Sequence, residues 1–313
     1  MKGDYMSNHI VLEAKNIWKK QGHHVIVNDV SITLYEGDIL GFIGPNGAGK
    51  TTTIKLILGL QTLNGGHVSI NGNDLKKNFA KAISQVGAII ENPDLYMYLS
   101  GYDNLKIATK LYGIDEKRIL EVAKLVGLKD RINDKVKKYS LGMRQRLGIA
   151  QAILHHPKLL ILDEPMNGLD PEGINDLKIL LKKLATEEKM AILVSSHLLS
   201  ELENFCNRFC ILVNGRVIKD LKIEEMKSIT DNLEYILEVS RVDLEDILYQ
   251  FEVLDHHHIK IKTTKDQLGN ILKALLLNNI DIYELKKEVV SLEDIFLKTT
   301  KENNHDSLIT SRT

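Results

Sequence analysis

Eight residues, GPNGAGKT from Gly44 to Thr51, have the types and spacing needed to hold a string of phosphates. The glycines at Gly44, Gly47 and Gly49 let successive backbone N–H groups turn toward one anion. The helical pattern of TTIKLILGL that follows adds the positive end of its dipole. In such a loop Lys50 reaches the terminal phosphates and Thr51 ligates Mg²⁺, while Pro45, Asn46, Ala48 and Thr52 complete the wrap. The bare pattern arises by chance in long sequences. Chance rarely supplies both the apolar strand DILGFIG before it and a helix after it.

A second segment, LLILDEP, ends an apolar strand on Asp163 and Glu164. Carboxylates at the carboxyl edge of a parallel sheet sit where such sheets bind ligands. Asp163 suits a water-bridged Mg²⁺, and Glu164 suits the general base that polarises an attacking water. Two adjacent acids also make a plain turn, a reading that weakens once the phosphate loop is upstream. A third segment, KYSLGMRQRLGIAQAIL, places Ser140 as the N-cap of a helix. Its hydroxyl, the Gly142 amide and the helix dipole make a second anion-binding surface, although many capping serines hold no ligand.

These groups need a frame that gathers strand ends and helix starts. DILGFIG, KLLILDE and MAILVSS read as buried strands, and YDNLKIATKLYG and EKRILEVAKLVGL carry the three- and four-residue spacing of amphipathic helices. FCILVNGRVIKD reads as a hairpin turning at Asn214 and Gly215. The class is therefore α/β with a mostly parallel sheet. Beyond Asp220 short strand-like and helical segments alternate, from LEYILEVS through VDLEDILYQF, HIKIKTT and QLGNILKALLLNN to IDIYELKKEVV and LEDIFLKTT. The expected organisation is a nucleotide-binding domain over 1–220, a small α+β accessory domain over 221–302 and a disordered tail over 303–313.

Composition narrows the function classes. The 313 residues carry 41 Lys and Arg against 42 Asp and Glu, without the basic excess of a dedicated nucleic-acid binder, so no nucleic acid is expected as partner. Cys206 and Cys210 lie four apart, neither a redox pair nor a zinc spacing, and read as buried thiols. The histidines at 256–258 alternate faces on a strand and cannot converge on one metal. No apolar run reaches the roughly 18 to 20 residues that cross a bilayer, so a membrane role is expected to run through a partner.

Taken in chain order, GPNGAGKT, YSLGM with RQR after it, LLILDEP, NGLD and SSH resemble the ATP-binding cassette (ABC) proteins over residues 1–220. The YSLGM form of the signature is similar to that of the bacitracin and lantibiotic export and immunity branch. The resemblance implies a P-loop NTPase cassette with a helical signature subdomain, ATP and Mg²⁺ as cofactors, and a homodimer with ATP between the P-loop of one chain and the signature of the other. Ser140 and Gly142 would contact the γ-phosphate across that interface, Asp170 would link the two sites, and His197 would act as the switch on the γ-phosphate. Taken alone, a histidine at a strand end is more often structural. The partners implied are a second ATP-binding subunit and integral membrane permease subunits, which would place the chain on the cytoplasmic face of the membrane and couple ATP hydrolysis to export.

Three positions depart from the family pattern. Gln21 stands where an aromatic usually stacks on adenine, and Trp18, three residues earlier, reads as a packing residue or a substitute. Glu91 stands where a glutamine usually senses the metal or the lytic water; a carboxylate there can ligate Mg²⁺ but adds negative charge beside the γ-phosphate. The loop holding it, with Tyr96 and Tyr98, faces the membrane subunit in the family. Leu141 and Met143 alter the signature and leave Ser140 and Gly142 in place. Two other readings exist. A nucleic-acid-associated cassette would need a long coiled coil between Lys50 and Ser140, where no sustained heptads occur. A regulatory module that holds ATP without turnover sits poorly with an intact Asp163, Glu164 and His197.

Overall fold

Runs of apolar residues set the frame, and the computed structural model shows where each lands for residues 9–203, 205–223, 225, 233–242 and 251–288. By packing the chain divides into two units, Met1–Leu221 and Lys222–Thr313. The first holds two sheets. Strands β1 (Ile10–Gln21), β2 (His24–Tyr35), β4 (Gly65–Ile70) and β5 (Asn73–Asp74) pair in the order β2-β1-β4-β5, all antiparallel. Strands β3 (Ile39–Ile43), β6 (Val86–Ile89), β7 (Leu159–Leu162), β8 (Ala191–Ser196), β9 (Arg208–Val213) and β10 (Arg216–Lys222) form the larger sheet, in the order β10-β9-β3-β8-β7-β6.

From β9 to β6 that sheet is parallel. Every residue of β3, β7 and β8 is buried, as covering both faces of a parallel sheet requires, which is why β3 and β7 read as unbroken apolar runs and β8 as one up to Val194. The hairpin expected at Asn214 and Gly215 is present. Both residues have positive φ, 49° and 75°, the pairing that a two-residue turn between twisted strands demands.

Helices α1 (Lys50–Ile57), α2 (Phe79–Ile83), α3 (Gly101–Tyr112), α4 (Lys117–Leu125), α5 (Leu141–Ala152), α6 (Pro171–Glu187) and α7 (Leu199–Leu202) complete the unit. The expected helical region is α3 to α5. Ser100 starts α3 with a capping box: its hydroxyl accepts from the Asp103 N–H, and the Asp103 carboxylate reaches back to the Ser100 N–H. Leu105, Ile119, Val122, Leu147 and Ile149 are buried where these helices face inward.

In the second unit β11 (Leu233–Val239), β12 (Glu252–Val253), β13 (His258–Thr263) and β14 (Ile282–Glu288) pair antiparallel in the order β12-β13-β11-β14. Helix α8 (Lys265–Leu277) is capped by Thr264 and packs Leu268, Ile271 and Leu275 with Tyr235, Leu237, Val239, Ile259 and Ile261 in a separate core. The alternation of these residues along β11 and β13 is the period of a sheet buried on one face. The helical reading of VDLEDILYQF, the LEDIFLKTT segment and the tail over 303–313 lie outside the described residues. Among the described residues no helix is long and apolar enough to cross a membrane.

Candidate functional site

The carboxyl ends of adjacent parallel strands bring the chemistry together. The phosphate loop leaves β3, Asp163 and Glu164 follow β7, and Ser195, Ser196 and His197 close β8. The loop is shaped by glycines that no other residue could replace. A Cβ on Gly44 would lie 2.4 Å from the Leu212 carbonyl oxygen, and one on Gly49, whose φ is 102°, would lie 2.8 Å from that of Ile26. The hairpin turn braces the loop from behind: the Gly215 N–H donates to the Ala48 carbonyl, and the Asn28 N–H to the Gly215 carbonyl.

Two polar networks meet at this edge. In the first, the buried Lys50 ammonium donates to the Gly44 carbonyl at 2.6 Å and lies 3.2 Å from Glu164 Oε1. His197 Nδ1 donates to the other carboxylate oxygen, Glu164 Oε2, at 2.8 Å. Both oxygens of Glu164 are thus engaged. In the second, the Thr51 hydroxyl donates to Asp163 Oδ2 at 2.7 Å, and the Ser195 hydroxyl donates to Asp163 Oδ1 at 2.5 Å. Ser195 also accepts from the Glu164 N–H at 2.8 Å and so joins the two networks.

Glu164 has φ of 50°, the left-handed region that costs a non-glycine residue on the order of 1 kcal/mol. The hydrogen bond from its N–H to Ser195 holds that turn and aims the carboxylate toward Lys50 and His197. Ser195 is the functional residue that sequence reasoning passed over, since SSH was read for its histidine alone. A buried strand ending in two serines beside two acids was the available signal. Ser195 is fully buried, so Ser195→Ala would strand an Asp163 oxygen and the Glu164 N–H together. Stability should fall by about 1–3 kcal/mol and turnover should fall with it, as denaturant unfolding and phosphate release would read.

The signature forms its own cluster. The Ser140 hydroxyl accepts from the Met143 N–H and caps α5, and Asp170 caps α6 by accepting from the Gly173 N–H. Ser140, Gly142 and Asp170 border a single cavity of about 390 Å³, so the structure gathers the residues expected to work across a dimer interface. No hydrogen bond or ion pair among the described residues joins them to Lys50, Glu164 or His197.

Glu91, just past β6, is exposed, has φ of 66° and makes no hydrogen bond or ion pair among the described residues. Gln21 ends β1 in the open. The Trp18 indole lies over Gly65, which leaves no space for a side chain there, and is itself 39% exposed. Cys206 and Cys210 are buried, and desolvation pushes both thiols well above their ordinary range. His256 and His257 lie in the turn before β13, which His258 opens: Asp255 accepts from the His257 and His258 N–H groups and from the His258 ring, which bring its carboxyl down to about 2.

A family model described as ABC transporter matches residues 27–167. An ABC transporter ATP-binding protein of Bacillus subtilis, YhcH, is 48% identical over 95% of this chain and 98% of its own length. The chain belongs to the ATP-binding proteins of ABC transporters. The bacitracin transport ATP-binding protein BcrA of Bacillus licheniformis is 37% identical over 92% of this chain and 96% of its own. The lantibiotic transport protein SrtF of Streptococcus pyogenes is 39% identical over 72% and 94%. Among solved structures, a dimeric post-hydrolysis ATP-binding cassette bound to ADP and Pi aligns with TM-score 0.61 and 26% identity, over 68% of this chain and 98% of that one. As an ABC ATP-binding subunit the chain binds nucleotide and hydrolyses ATP.

Proposed function

We propose that the chain drives export of a peptide antibiotic of the bacitracin type through separate membrane permease subunits, working as a homodimer on the cytoplasmic face of the membrane. The observation that carries the hydrolytic part of this is the pair of joined networks at the sheet edge, which sets a base, a cation and an oxygen-ligand pair around one phosphate loop. The full-length similarity to a bacitracin transport subunit supports the cargo class, and the dimeric cassette structure supports the assembly.

Within that reading Gly44 to Thr52 wrap the phosphates, with Lys50 neutralising the β- and γ-oxygens. The Thr51 hydroxyl and Asp163 carboxylate, 2.7 Å apart, are an all-oxygen set that fits Mg²⁺ and would hold it, and Glu91 would be a further oxygen ligand. When bound, that ion neutralises charge on the phosphate oxygens. Glu164 is the base for the attacking water, and His197 orients it and meets the γ-phosphate. Ser140 and Gly142 bind the γ-phosphate of the partner's nucleotide, and Asp170 links the two sites. An interface of this kind is isologous, each chain lending its signature to the other.

The loop after β6 is the contact with the permease. Tyr96 and Tyr98 on it are exposed, with rings edge to face at 6.1 Å, the amphipathic aromatic surface that interfaces favour. The accessory domain is assigned to residues 221–302. Cells that lose this chain, or carry it with Glu164→Gln, should become more sensitive to bacitracin-type peptides while sensitivity to unrelated cytosolic poisons stays the same. Unchanged sensitivity across a panel of peptide antibiotics would overturn the cargo and leave the ATPase standing.

A further inference from the structure

The sheet of the second unit ends on one side at β14, and among the described residues the outer edge of that strand pairs with nothing. Its backbone N–H and C=O groups are therefore a template for a further strand. Tyr283 to Lys287 are all exposed, as an uncovered edge leaves them. The order of charges is specific: Glu284 and Lys286 stand on either side of the apolar Leu285. Leu285 lies opposite the buried Leu237, on the face packed by α8, while Glu284 and Lys286 lie opposite Glu238 and Ile236 on the other face. Glu284 thus faces a second carboxylate across the sheet, an arrangement that destabilises a strand pair. Neither Glu284, Glu238 nor Lys286 forms an ion pair among the described residues.

We infer that β14 pairs antiparallel with β14 of a second copy of this chain, about a two-fold axis at Leu285. In that register Glu284 falls opposite Lys286 of the partner subunit, Lys286 falls opposite the partner's Glu284, and the two Leu285 side chains meet at the centre. Opposite charges directly across a strand pair stabilise it, and the incoming ammonium offsets the repulsion between Glu284 and Glu238. Other registers lose this match. Centring on Glu284, Lys286 or Lys287 would set a like charge against itself, and centring on Tyr283 would set Glu284 against Ile282. Lysines on an open edge ordinarily keep foreign strands away. Here they admit a strand that carries the matching acid, as this strand itself does.

The contact is small. One strand edge of seven residues buries far less than the roughly 1,200 Å² of a stable interface, so the dissociation constant should be on the order of 0.1–1 mM. The nucleotide-free chain is then monomeric at the micromolar concentrations of size exclusion, and the contact is separate from the ATP-dependent dimer of the proposed function. Two copies held on one transporter, as that proposal has them, would meet at an effective concentration in the millimolar range, where the contact is populated.

Sedimentation equilibrium of the full, nucleotide-free chain tests the inference. Between about 10 µM and about 1 mM the chain should pass from monomer to dimer, and the β14 amides should become protected from hydrogen exchange over the same range. Glu284→Lys and Lys286→Glu, both at exposed positions, should each weaken the dimer about tenfold by setting like charges opposite each other. Mixed in equal amounts, the two variants should pair with one another as tightly as the unaltered chain, since every opposed pair is again a lysine with a glutamate. Ser140→Arg should leave this dimer intact while removing the ATP-dependent one, so the two interfaces fail separately. A chain still monomeric at about 1 mM, or a mixture no tighter than either variant alone, would overturn the inference. If a variant fails to fold, the exchange measurement on the unaltered chain decides, and β14 amides that exchange equally fast at both ends of the range would overturn it.

Discussion

Glu164→Gln should keep ATP bound and stop its cleavage. The substitution preserves size and most hydrogen-bonding shape, so the contact to His197 Nδ1 survives while the basicity needed to take a proton from water is lost. General base catalysis is worth roughly 10² to 10⁴ in rate, and turnover should drop by that factor with little change in nucleotide affinity. Uncleaved ATP then stays between two protomers, and the variant should run on size exclusion as a dimer that forms only with ATP. Adding Ser140→Arg should abolish that dimer, because a guanidinium and its stem would fill the cavity where Ser140, Gly142 and Asp170 meet. A Glu164→Gln chain that hydrolyses at the parent rate would remove the assignment of the base. One that stays monomeric with saturating ATP, alone and with its membrane subunits, would remove the composite site.

Lys50→Ala should be as severe by a different route. Lys50 is buried at 6% exposure and is held by the Gly44 carbonyl and Glu164, so its charge is already positioned over the loop before nucleotide arrives. Losing a charge-assisted contact to the β- and γ-phosphates costs about 1.5–3 kcal/mol, which corresponds to an affinity loss of roughly 10- to 100-fold. Hydrolysis should fall below detection, since the charge on the transferring phosphoryl group loses its fixed counterion. A nucleotide titration and a phosphate-release assay separate the two effects. Retention of both affinity and turnover would contradict the phosphate-loop reading.

Much of the site was legible in the sequence because its parts are local. A glycine loop between an apolar strand and a helix, two acids at a strand end and a serine before a helix each announce themselves within ten residues. The strands themselves were legible for a related reason: β3, β7 and β8 are buried on both faces, and the apolar runs ILGFI, LLIL and AILV reflect that burial. The joining of the networks by Ser195 was not legible. It depends on β7 and β8 being neighbours in register, with Leu162 opposite Val194, and neighbour relations in a parallel sheet leave no mark in either strand alone. The pairing of His197 with Glu164 escaped for the same reason, because the two lie 33 residues apart in sequence. A cavity bordered by Leu60, Tyr112 and His155 was hidden differently, since they come from three separate segments that only the packed structure assembles.

The engagement of both Glu164 oxygens bears on how the cell's fuel is protected. A carboxylate held at one oxygen by Lys50 and at the other by His197 is fixed in orientation, and each oxygen keeps a lone pair for water. On the proposed assembly, an arriving phosphate would draw Lys50 toward itself and a second protomer would complete the chamber, so expenditure of ATP would follow assembly rather than abundance.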